Sequence, residues 1–143
     1  MGKCDLCDLK ENNPTFIHSF PYWTLLANYM QPTLGSVLLV LNRHSEDLSD
    51  LCSLEEKSYF DAVKSIERSL RESFNPDMIN HLMLANVVRH THYHIVPRYE
   101  KSRDFKGHNF VDETYGHMPK LTQERKSPEI IEVVKGEILA NLF

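Results

Sequence analysis

Residues 90 to 98 read His90-Thr91-His92-Tyr93-His94-Ile95-Val96-Pro97-Arg98, with an imidazole at every second position of the first five. Side chains at i, i+2 and i+4 share one face of a β-strand, and the Thr, Tyr, Ile and Val around them are strand formers. Successive rings then lie roughly 7 Å apart, at about 3.3 Å rise per residue. Three imidazoles in a row make a poor core, because each needs hydrogen-bond partners and titrates near neutrality. The row therefore reads as chemistry more than as histidines on a solvated edge strand. Metal ligation and a nucleophilic imidazole helped by its neighbours both suit it. Three rings on one catalytic ion fit badly: the outer two lie about 13 Å apart on a regular strand, too far for ligands about 2 Å from a common metal.

Working outward, Met78 to Val88 and His90 to Arg98 read as two strands. Upstream, Thr15 to Phe20, Tyr22 to Tyr29 and Ser36 to Leu41 read as three more, the last a nearly continuous apolar run suited to a sheet centre. Between them, Ser53 and Glu56 suggest a capping box, and Phe60, Val63, Ile66, Leu70 and Phe74 recur at helical spacing. The spacing predicts a helix over about 54–73, stopped by Asn75-Pro76-Asp77. Residues 100–126 are polar and irregular. Ser127-Pro128-Glu129 then opens a closing helix bearing Ile130, Ile131, Val134, Ile138 and Leu142. The expected class is α+β: a mainly antiparallel five-stranded sheet with one long helix and a C-terminal helix, in a single domain over 1–143.

Composition narrows the functions. Of 143 residues, 41% are hydrophobic and 25% charged, which is globular and not disordered. A net charge of −4 argues against a non-specific nucleic-acid binder, which needs a basic surface. No apolar run approaches a membrane span, and Met1-Gly2-Lys3-Cys4-Asp5 opens neither a secretory nor a myristoylation signal. Three cysteines, two of them close together, do not make a disulfide framework. The expected location is the cytoplasm.

Cys4-Asp5-Leu6-Cys7 is a C-x-x-C pair without the βαβ setting of a thioredoxin-like redox motif. Its residue-level readings are two reduced thiols or half of a tetrahedral zinc site, with His44 and His90 the candidates to complete it. His18 and His81 read as strand residues satisfied locally, His108 and His117 as loop residues, and Cys52 as a small apolar residue in a turn. Arg98, Lys101, Arg103 and Lys106 form a basic stretch, read as either a phosphate approach or a solvated loop.

The segment His90-Thr91-His92-Tyr93-His94-Ile95-Val96 resembles the signature of the histidine triad (HIT) family, His-φ-His-φ-His-φ-φ, with Thr91 polar at the first φ. Leu25-Leu26-Ala27-Asn28 resembles the family's ribose-holding strand. Leu34-Gly35-Ser36-Val37 resembles its Pro-Gly-His segment, with Leu34 and Ser36 replacing Pro and His. The resemblance covers about residues 4–105, leaving a loop and helix over 106–143. In place of the family's Gly-rich phosphate loop stands only Asn86-Val87-Val88-Arg89.

The resemblance implies a nucleotide hydrolase or nucleotidyl-transfer enzyme acting on the α-phosphate of dinucleoside polyphosphates or nucleoside phosphoramidates. His92 would be the nucleophile, with His94 and His90 the other catalytic members, and Asn28, Asn86 and His94 the nucleotide-binding residues. His94, where other branches carry Gln, resembles the hydrolase branch. Cys4, Cys7, His44 and His90 match the zinc ligands of some members, implying a structural zinc and no metal for the chemistry. A homodimer through the long helix and a sheet edge is implied too, with Tyr59 and the apolar 78–88 strand as contact surface. The other function class retained is a nucleotide-binding sensor with little turnover.

Overall fold

The computed structural model describes residues 4–9, 11–122 and 125–143. Met1 to Lys3, read above for a targeting signal, lie outside them. Five strands form one antiparallel sheet: β1 (Phe16–Phe20), β2 (Trp23–Ala27), β3 (Val37–Leu41), β4 (Met78–Leu82) and β5 (His92–Arg98). Their spatial order is β1-β2-β3-β5-β4, so the histidine strand lies inside the sheet and β4 at its edge. Helix α1 (Ser53–Phe74) connects β3 to β4. A two-stranded sheet of β6 (Arg103–Phe105) and β7 (His108–Phe110) follows β5, and α2 (Pro128–Ala140) closes the chain. No described helix is long and apolar enough to cross a membrane.

Alternation sorts the sheet into two faces. Trp23, Leu25 and Ala27 on β2, with Val37, Leu39 and Leu41 on β3, belong to one buried cluster with Ile66 and Leu70 of α1 and Val134 and Ile138 of α2. At its centre Tyr59 stacks near Tyr93 (4.4 Å between centroids) and Trp23 (5.2 Å), and the Trp23 indole donates to the Glu55 carbonyl at 3.0 Å. Leu26, Leu38 and Val40 point the other way. On that face Val40 stands opposite His92 and Leu38 opposite His94. Helix packing thus fixes one face of the sheet and leaves the histidines the other.

Several elements depart from the sequence reading. The long helix begins one residue earlier than the Ser53 box implies: Cys52 is the N-cap, and the Glu55 carboxylate accepts from its backbone N–H at 2.9 Å. Arg43 decides the register, binding Glu55 at 2.7 Å and so holding that carboxylate in place. Cys52 is accordingly exposed. The buried stripe runs through Tyr59, Ala62, Ile66 and Leu70, which turns Phe60 outward, 62% exposed. The strand expected to Val88 ends at Leu82, and Ala85 at φ 50° breaks the extended path. The triad strand starts at His92, not His90.

The segment read as irregular holds the β6–β7 hairpin, turned by Lys106 and Gly107, both at positive φ. Gly35 is required where it stands: at φ +86°, a Cβ would sit 2.7 Å from the Phe74 ring. The Ser127 side chain caps α2 by accepting from the Ile130 N–H, as read from the sequence.

Candidate active site and metal centre

Each triad ring has a different environment, set by its place along the strand. His92 is 7% exposed, and its Nδ1 lies 2.5 Å from the His90 carbonyl oxygen. A carbonyl can only accept, so Nδ1 carries the hydrogen and Nε2 keeps the lone pair. His94 packs edge-on against His92, with centroids 5.3 Å apart. Its Nδ1 is buried with no hydrogen-bond partner, an uncommon condition for a polar atom. Burial, with the neighbouring His92 adding to it, pushes the His94 imidazole down to about 4. Near pH 7 it is an uncharged ring with an unsatisfied nitrogen.

His90 sits just before β5 and faces elsewhere. Its Nε2 donates to the Leu41 carbonyl at 2.6 Å, so Nδ1 presents a lone pair. Around that nitrogen lie Cys4 Sγ at 3.4 Å and Cys7 Sγ at 3.5 Å, while Cys7 Sγ is 3.2 Å from His44 Nδ1. All four ligand atoms fall within 4.8 Å of one another. Tetrahedral zinc with Zn–S near 2.3 Å and Zn–N near 2.0–2.1 Å requires S···N edges of about 3.6 Å, so two thiols and two imidazoles here fit the ion. The Leu41 carbonyl orients His90, and Glu46 stands 3.6 Å from His44 Nε2 in the position of a second-sphere carboxylate. His90 thus has both nitrogens engaged, and what it offers His92 is its carbonyl.

A cleft of about 500 Å³ opens where β2 and β3 meet the start of α2, lined by Leu26 and Leu38 of the sheet and Pro128 and Ile131 of the helix, and by neither His92 nor His94. Leu38 is the cross-strand partner of His94, which brings the cleft within one strand of the triad. Leu6 and Leu9 from the cysteine segment, and Arg125 and Lys126 from the segment before α2, close its sides. The Arg125 guanidinium stacks 4.3 Å above the Tyr29 ring, and the Lys126 N–H donates to the Tyr29 carbonyl.

The other expected site residues are distributed unevenly. Asn28 is buried at the end of β2 beside the cleft residues Ala27 and Tyr29, and its Oδ1 accepts from the Met30 N–H. Asn86 is exposed and lines a separate depression with Glu46, Asp47 and Arg89. Ser36 is spent on structure, its hydroxyl bonded to Thr33, which in turn donates to the Pro97 carbonyl.

Arg98 departs most from expectation. It is 2% exposed, pairs with Asp112 at 2.7 Å, and donates to Asn80 Oδ1 and to the carbonyls of Thr114 and His117. It anchors the segment after β7 and is not available to a phosphate. Its apolar, strand-like surroundings were the sequence signal for burial, but the partner Asp112 lies 14 residues away and was not legible as one.

A family profile described as the HIT domain matches residues 10–101. The chain is 35% identical over 80 residues to Protein hit of Bacillus subtilis (strain 168), a match spanning 52% of this chain and 55% of that protein. It thus covers about half the length of that curated relative. Among solved structures, a member of the HIT family from Bacillus subtilis superposes with a TM-score of 0.63 at 27% identity, covering 70% of this chain and 76% of that one. A Zn-bound histidine triad family protein from Mycobacterium smegmatis superposes at 0.62 with 17% identity, covering 88% and 84%. Sheet order, triad face and profile agree, and the chain belongs to the HIT family.

Proposed function

We propose that this protein is a nucleotidyl-transfer hydrolase acting on the α-phosphate of dinucleoside polyphosphates or nucleoside phosphoramidates, through a nucleotide bound covalently to His92. The observation that carries the reading is the bond between His92 Nδ1 and the His90 carbonyl, which leaves the Nε2 lone pair available to act as a nucleophile. Nε2 attacks the α-phosphorus. An N–P bond forms, the bond from phosphorus to the leaving oxygen or nitrogen breaks, and its electron pair departs with the leaving group, which takes up a proton from solvent that the attacking water of the second step returns. Water then attacks the same phosphorus, the N–P bond breaks, and the nucleoside monophosphate leaves as Nε2 recovers its lone pair.

His94 supplies a hydrogen-bond donor in this scheme. Its unpartnered Nδ1 can donate to a non-bridging phosphate oxygen as charge gathers there, in a site already desolvated. The base and ribose occupy the cleft over Leu26 and Leu38, whose volume falls in the range of small-molecule sites, with Asn28 at the ribose. Asn86, on its separate depression, serves only a leaving group long enough to reach it. Cys4, Cys7, His44 and His90 hold a zinc that cross-links the N-terminal segment to the sheet and takes no part in the displacement.

The test is His92→Asn. Turnover of a diadenosine polyphosphate or an adenosine phosphoramidate should fall below a thousandth of wild type, with AMP affinity kept within about tenfold. A variant that keeps a tenth of its turnover would exclude His92 as nucleophile.

A further inference from the structure

One buried side chain ties together the turn between β2 and β3. Gln31 is 1% exposed and is not among the residues that line the cleft. Its Nε2 donates to the carbonyls of Asn28 (2.7 Å) and Ser36 (2.8 Å), and its Oε1 accepts from the Gly35 N–H at 2.8 Å. We propose that Gln31 is a positioning residue for the ribose of a bound nucleotide: through these bonds it fixes the direction in which the Asn28 side chain meets the sugar hydroxyls. This rests on the reading of Asn28 as the ribose residue.

The far half of the turn is anchored to the body of the protein. Thr33 donates to the Pro97 carbonyl, the Tyr99 hydroxyl donates to the Leu34 carbonyl at 2.7 Å, and Gly35 backs onto the Phe74 ring of α1. In the near half, the Asn28 N–H donates to the Ser36 carbonyl at 2.9 Å, which holds one side of that residue's backbone. Its carbonyl is held by Gln31 alone, through the Gln31 N–H at 3.1 Å and the side-chain Nε2. Gln31 does this at φ 42°, where a residue with a Cβ is strained. Such strain persists only where surrounding bonds over-determine the conformation, and here the three bonds of the side chain do so. The consequence falls on Asn28. Its Oδ1 faces the Met30 N–H, which can only donate, so Nδ2 is the end left to donate to a ribose hydroxyl. Without the Gln31 bonds the turn loses its tie to the anchored half, and the Asn28 amide loses its direction. The triad, supported by β3 and β4, is unaffected.

The experiment is calorimetric titration of the full chain with AMP and with 2′,3′-dideoxy-AMP. Wild type should bind AMP about tenfold more tightly, and Asn28→Ala should bind the two alike. Gln31→Met, of similar length but unable to make the bonds, should keep its affinity for the dideoxy nucleotide while the preference for AMP falls to about twofold. Added to Asn28→Ala, the same substitution should change neither affinity. Gln31→Gly, which suits φ 42°, repeats the test if the Met variant does not fold. An unchanged preference in the Gln31 variant, or an equal loss of affinity for both nucleotides, overturns the proposal while leaving the nucleotide reading intact. A wild type that does not distinguish the two, or a preference that survives Asn28→Ala, overturns the Asn28 assignment and the proposal with it. Failure of wild type to bind either nucleotide overturns the nucleotide reading as well.

Discussion

The unpaired nitrogen of His94 is the residue with the clearest consequence for pH. Burial holds the ring uncharged down to about 4, whereas a histidine in the unfolded chain takes up a proton near 6.5. Between those values the unfolded state binds more protons, so the stability this group contributes is complete above about 6.5 and is lost as pH falls towards 4. His94→Gln should therefore flatten the acid side of the stability profile. Urea unfolding at pH 7 and pH 5 measures it: the drop in stability should be smaller in the variant, and an equal drop would show that His94 does not titrate as its burial implies. That His92 and His94 share a face was legible from strict alternation, but the same rule placed His90 with them, and His90 precedes β5 and turns to the cysteines instead. The outward turn of Phe60 was not legible. Phe60 and Tyr59 are both aromatic and adjacent, and only the β2–β5 surface opposite decides which one is buried.

At the scale of elements, the cysteine segment gains its position from side chains and not from a ladder. Purified protein should carry about one zinc per chain, and Cys4→Ser with Cys7→Ser should lose it and melt at a lower temperature while part of the turnover remains. Elemental analysis with thermal melts checks this; a metal-free protein of unchanged melting temperature would leave the cysteines as free thiols. The five strands and both helices were readable because apolar periodicity marks buried faces. Boundaries were less so. Cys52 caps α1 in place of Ser53 because Arg43, distant in sequence, selects Glu55 as the carboxylate that folds back. The β6–β7 hairpin escaped because its turn uses Lys106 at positive φ, where Asn or Asp would have announced it. The strand before the triad ended early because the apolar residues 83–88 form the connecting loop, Val87 being 95% exposed.

For the whole molecule, β4 is an edge strand with Met78 51% exposed, and α1 separately exposes Phe60 (62%). We expect a two-fold dimer that covers both, built on Phe60 and β4 in place of the Tyr59 surface first expected. Light scattering at micromolar concentration should give about twice the 16.7 kDa of one chain, and a monomer mass there would reject it. We expect a covalent nucleotide on His92, whose ring is oriented by the Nδ1 bond to the His90 carbonyl. Its most direct test is intact-protein and peptide mass spectrometry after rapid quenching with a diadenosine polyphosphate or an adenosine phosphoramidate. One adenylyl group should appear on the peptide containing His92 and be absent in His92→Asn. Turnover with no adduct at any quench time, or an adduct on another residue that persists in His92→Asn, would contradict it.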